Sequence, residues 1–238
     1  MSRERSRPSG LVAPATAADA EPVRGWCERA VQQELPGLGL MSAVVEVQPG
    51  SSLTGASPPA VLGRLRELSN RWRGARAVNV RQEPIPAAYR VFFRHIGLDP
   101  DVTRTPIEAA VLERMLDGGF LSEGMLTDVL TIALIDTAVP VWALDGDTVE
   151  GPLGIRLSRA DERLGRGPEG PNLGGGRLVV ADAENALAIL FGEPAPVHEP
   201  GSATRNLALF AVQVSGVPAL HVEETLWACR SALSEVGR

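Results

Sequence analysis

Apolar residues recur at helical spacing in five stretches of the first 140 residues, whereas short β-branched runs bounded by Gly and Pro dominate the remainder. Trp26 to Leu35 reads as a short amphipathic helix stopped by Pro36-Gly37, and Met41 to Val47 as a buried strand. After a loop from Pro49 to Pro59, residues Val61, Leu65, Leu68 and Trp72 mark the apolar face of a helix over 60–72 whose other face carries arginines. Ile85 to Ile96 follows, with Tyr89, Phe92, Phe93 and Ile96 inward and Gly97 as its stop. The sharpest boundary lies at Thr105, which suits an N-cap, with Pro106 at the first helical position and Glu108 placed to bond back to the cap amide. That helix runs to Leu116. Another, Leu126 to Ala138, leads through Pro140 into a strand from Val141 to Leu144 and a turn at 145–147.

Further strands are expected at 153–157, 177–181, 186–191 and 206–214, then an amphipathic helix from His221 to Val236 with Val222, Leu226, Cys229, Leu233 and Val236 on one stripe. Helices gathered before residue 140 and strands after it predict an α+β fold, helices packed on a mostly antiparallel sheet, rather than βαβ units. The folded region is expected to span 23–238, with room for two sub-lobes meeting near 140. Residues 1–22, rich in Ala, Pro, Ser and Arg without apolar period, read as a flexible tail.

Composition narrows the function. With 238 residues, 44% of them apolar, the chain can bury a proper core. Cys27 and Cys229 stand far apart with no CxxC partner, which excludes a disulfide framework or a cysteine metal cluster. The longest apolar run contains Asp136 and Pro140 and is too short to span a bilayer, and no signal-peptide core follows the N-terminus, so a cytoplasmic protein without membrane partners is expected. All 23 basic residues are arginines, yet the net charge is -6. Wholesale electrostatic binding of nucleic acid is thereby disfavoured, DNA included, and any RNA contact has to be local. His95, His198 and His221 have no metal-ligand spacing, no nucleophile elbow is present, and the glycines of 165–176 lack the Lys of a P-loop. No metal or cofactor is expected.

The order of signals from Tyr89 to Asp145 has a specific likeness. Tyr-x-x-Phe on a helix, Gly97-x-Asp99-Pro100, Thr103-Arg104-x-Pro106-x-Glu108-Ala109, Asp128 in the next helix, and Val139-Pro140-Val141-x-Ala143-x-Asp145 together resemble the B3/B4 domain of the bacterial phenylalanyl-tRNA synthetase beta subunit. Closer still is the likeness to stand-alone proteins built from that domain. The resemblance covers about Arg81 to Val236. It implies a tRNA or aminoacyl-tRNA partner and a pocket that hydrolyses wrongly attached tyrosine with a positioned water.

Phe191-Gly192-Glu193 matches the family's Gly-Gly-Glu, which makes Glu193 the candidate side-chain-sensing residue. Where the family carries a pocket histidine this chain has Trp142, and the family's Asp-Val-x-Asn becomes Asp128-Val129-Leu130-Thr131. Substrate-binding candidates are therefore Glu193, Trp142, Thr131 and Asp128. Trp142 either narrows or lines a pocket for a different ligand, or is a core residue; Glu193 is otherwise a surface carboxylate at a strand end. Asp128 is expected to cap its own helix, with pairing to Arg104 as the other reading.

The most basic stretch, 64–94, interleaves aromatics with Arg71, Arg73, Arg76 and Arg81, the candidates for RNA contact; a solvated helix face is the alternative. Synthetase activity is not expected, since this length leaves no room for an ATP-binding core. A freestanding editing hydrolase and a non-catalytic RNA- or ligand-binding module are both open.

Overall fold

The computed structural model describes residues 21–47, 53 and 55–236, with side chains to residue 234. Nearly all of the expected tail and residues 49–52 and 54 of the 49–59 loop lie outside the described residues, as does the side chain of Val236. The chain is α+β, with two four-stranded sheets. In the first, β1 (Val23–Arg24), β3 (Gly39–Glu46), β8 (Asn206–Gln213) and β4 (Val141–Asp145) lie in the order β1-β3-β8-β4, all antiparallel. β3 and β8 pair over their full length, from Gly39 opposite Gln213 to Glu46 opposite Asn206. Continuous burial from Leu207 to Val212 follows from the central position of β8, covered on both faces.

The second sheet runs β2-β5-β6-β7, from β2 (Trp26–Cys27), β5 (Gly154–Leu157), β6 (Leu178–Ala181) and β7 (Ala186–Ile189). Its β2-β5 pair is parallel. The sequence reading is corrected here: Trp26 and Cys27 are strand, and the helix, α1 (Arg29–Glu34), begins only after them. Trp26 donates its indole N–H to the Pro152 carbonyl at 2.9 Å and lays its ring over Gly154, where a Cβ would sit 2.2 Å from the ring. A contact 126 residues away decides the conformation, against the local helical period.

The remaining helices are α2 (Pro59–Arg71), α3 (Ala75–Asn79), α4 (Pro84–His95), α5 (Pro106–Asp117), α6 (Met125–Thr137) and α7 (Ala219–Val236). The capping box is present: Glu108 accepts from the Thr105 N–H at 3.3 Å and from its hydroxyl at 2.6 Å. α7 packs on β3 and β8, while α6 lies between α2, α5 and α7 and is apolar around most of its circumference for that reason. The largest core cluster joins Leu40, Tyr89, Phe93 and Val129 to Leu187, Phe210 and Leu226, so it draws on both sides of Pro140. Tyr89, the single tyrosine, donates its hydroxyl to the Val212 carbonyl at 2.8 Å and ties α4 to β8.

Candidate functional site

Side chains from α4, β4 and the segment after β7 converge in an aromatic cluster. Tyr89, Phe92 and Phe93 share the inward face of α4 because positions i, i+3 and i+4 lie on one side of a helix. Trp142, on β4 opposite Phe210 of β8, stacks on that ring at 5.5 Å and 14°. Phe191 lies amid the others, its ring 5.9 Å from Tyr89, 5.8 Å from Phe92, 5.1 Å from Phe93 and 6.0 Å from Trp142. Those separations and the mostly tilted or edge-on planes are the favourable range for aromatic pairs. β7 ends at Ile189, two residues short of the strand read from sequence, and Ile189 to Gly192 form a turn closed by the Gly192 N–H on the Ile189 carbonyl at 2.8 Å. Phe191 occupies the third position of that turn with φ of 64°, where glycine or asparagine belongs. An unbranched L-residue there costs roughly 1–2 kcal/mol, which the ring contacts have to offset.

The four substrate-binding candidates fall in separate surroundings. Trp142 is buried in the ring cluster. Glu193, two residues beyond Phe191, is exposed. Asp128 is 1% exposed and makes neither of the contacts read from sequence. Its carboxylate accepts from the Ser57 and Ser122 hydroxyls, each at 2.5 Å, and from the Glu123 N–H at 2.9 Å. The first amides of α6 turn elsewhere, Met125 to the Gly55 carbonyl and Leu126 to that of Leu53. Asp128 thus fastens two loops to the start of α6. Thr131, one turn on, is half-buried and lines a small cavity against α5 with Glu113, Arg114 and Thr127.

The arginine segment forms a surface on α2, α3 and the 3-10 turn at Val80–Gln82. Arg71 pairs with Asp136, which also takes both oxygens' worth of contact from Arg64 at 2.8 and 2.9 Å. Among the described residues Arg73 meets the neutral Asn70 amide oxygen, at 2.5 Å. Arg76 lies 4.7 Å over the buried Trp72 ring, and Arg81 is 3.9 Å from Asp101 with half its side chain in water. Three of the four candidates, Arg73, Arg76 and Arg81, therefore keep guanidinium groups open to an incoming phosphate. Arg90 is different: it is buried, held by Asp101 at 2.6 Å and Glu108 at 2.5 Å, and serves the junction of α4 and α5.

Sequence reasoning passed over two buried polar groups. His198 is fully buried, its Nδ1 2.8 Å from the Thr148 hydroxyl, and its Nε2 has no hydrogen-bond partner among the described residues. Burial lowers its pKa; Asp182 opposes, Arg166 adds to the lowering, and Asp145 opposes. Asp182 accepts the Glu150, Glu184 and Asn185 amides at 2.9, 2.8 and 2.7 Å and so shapes the β6-β7 turn. The Asp182-x-x-Asn185 spacing is a signal that could have marked that turn; nothing near His198 in sequence signals its partner fifty residues away. Among the described residues no His, Cys, Asp and Glu grouping could hold a metal, and no helix is long and apolar enough to cross a membrane.

Part of the chain has relatives by sequence. The chain is 36% identical over 101 residues to the phenylalanine–tRNA ligase beta subunit of Xylella fastidiosa strain Temecula1, a match covering 39% of this chain and 12% of that subunit. The beta subunits of Xanthomonas campestris pv. campestris strain 8004 and Xanthomonas axonopodis pv. citri strain 306 are 35% identical over 95 residues and 33% over 97, again spanning 39% of the chain and 12% of the relative. No family model matches. Over that stretch the chain is similar to the beta subunit of a phenylalanine–tRNA ligase, and the match spans about an eighth of the length of those relatives.

Proposed function

We propose that this protein binds tRNA, charged or uncharged, at the arginine surface of α2 and α3, and that its interior site does not hydrolyse an aminoacyl ester. The beta-subunit similarity supports the tRNA class of partner. The observation that carries the non-hydrolytic reading is the contact of Trp142 with Phe191, ring to ring at 6.0 Å. Trp142 stands where the resemblance implies a pocket histidine, and Phe191, 49 positions on, lies in the stretch that leads to the candidate Glu193; both present carbon rings there. Water positioned for hydrolysis needs polar partners, and a cluster of five rings provides few. Glu193, exposed beside the Phe191 turn, Thr131 and Asp128 then support the scaffold rather than a reaction, and no cofactor is involved.

The RNA surface uses Arg73, Arg76 and Arg81 for phosphate, with Arg71 committed to Asp136 as their anchor. Fluorescence anisotropy with a labelled tRNA tests this at several salt concentrations. Wild type is expected to bind with a salt-dependent affinity. Changing Arg73, Arg76 and Arg81 together to Gln should flatten the dependence of log K on log salt by about 2, at roughly 0.7–0.9 per lost phosphate contact. An unaltered slope would remove this surface from the proposal.

A further inference from the structure

We infer that Arg64 and Arg71 form a binding site for one phosphate group, and that the chain's own Asp136 fills it when no phosphate is bound. The two guanidiniums come from one face of α2, because seven residues make almost two helical turns. Both converge on the Asp136 carboxylate. One Nη of Arg64 meets its two oxygens at 2.9 and 2.8 Å, and Arg71 donates to the first of them. Two planar forks closing on one oxyanion is also the arrangement that grips a phosphate.

The present occupant is badly placed on its own helix. Asp136 lies in the last turn of α6, where the carbonyl end disfavours negative charge, so the two arginines are what hold the carboxylate there. A phosphate brings the same negative oxygens without a helix end behind them. Access exists as well: the Asp136 side chain is 26% exposed, and those of Arg64 and Arg71 are 35% and 36%. Glu67 takes the other Nη of Arg64 at 2.7 Å, so two cations face two carboxylates and the group sums to zero, which hides the site from a count of charge. Arg73, open to phosphate, lies two positions beyond Arg71, so the site extends that surface. The phosphate can arrive on RNA or as a free polyphosphate; only the RNA source rests on the tRNA reading above.

Calorimetric titration of the full chain with tripolyphosphate, beside anisotropy with a labelled tRNA, tests the site. Asp136→Asn empties it at nearly constant side-chain size and is expected to bind tripolyphosphate about fivefold more tightly than wild type. Its slope of log K for tRNA against log salt should steepen by roughly 0.7–0.9, the share of one phosphate contact. Adding Arg64→Gln and Arg71→Gln should remove both gains. Glu83→Gln, which removes a carboxylate of the same arginine-rich stretch outside the pair, should produce neither. A gain with tripolyphosphate but not with tRNA assigns the site to free polyphosphate. Absence of tRNA binding in every variant sinks the tRNA reading and leaves the site to stand on tripolyphosphate. A cooperatively melting Asp136→Asn that gains with neither ligand, or a gain that survives loss of both arginines, overturns the inference. If that variant does not fold, wild-type tripolyphosphate affinity unchanged by Arg64→Gln with Arg71→Gln overturns it equally.

Discussion

Asp128 shows how far a single residue can be read and where reading stops. A lone carboxylate in an apolar helix has to be satisfied, and that much was legible. Its partners were not, because Ser57 lies 71 positions away and reaches it only through the loop before α2. Removing the carboxylate leaves two hydroxyls and an amide without their acceptor in a buried place. Asp128→Ala is therefore expected to cost roughly 3 kcal/mol in urea unfolding, while Thr131→Ala, on a half-buried position, changes it by less than about 1 kcal/mol. Phe191 is the converse case. Its letter sits in the quoted Phe-Gly-Glu stretch, but sequence does not display a left-handed φ, so its place at the centre of the ring cluster emerges only with the fold.

Elements with local determinants were the legible ones. α5 is set by Thr105, Pro106, Glu108 and the glycine that ends it, all within one short stretch, and α4 by its aromatic period and Gly97. The opening of the chain failed for the opposite reason: β2 exists through pairing with β5, and no local period carries that information. The five-residue α3 was likewise invisible, too short for a periodic signal. His198 ties two such non-local pieces, the 3-10 turn at Pro196–His198 and the turn after β4. Its imidazole is held neutral, with a folded pKa below the ordinary value, so the unfolded chain takes up the proton first as pH falls. Stability from this tie is complete above about pH 6.5 and is lost as pH drops below that value toward the folded pKa. The urea midpoint should fall between pH 7 and 5, and His198→Gln should reduce that fall. A variant with the wild-type pH profile would place the titration elsewhere.

At the scale of the molecule, a net charge of -6 and a tRNA partner are compatible because charge is local. Arg64 and Arg71 share Asp136, and Arg64 also pairs with Glu67, while Arg73, Arg76 and Arg81 stand clear of strong ion pairs. The α+β class was legible from helices preceding strands; the split into two sheets was not, since it depends on which distant strands pair. The central claim joins that surface to a ring-filled interior: the protein holds tRNA and leaves its ester intact. The most direct measurement is incubation of purified protein with tRNA charged with phenylalanine and with tyrosine, following binding and ester loss in one experiment. Salt-sensitive binding with ester decay at the spontaneous rate is the expected result. Accelerated loss of either aminoacyl group, or no binding to either tRNA at low salt, would contradict the account.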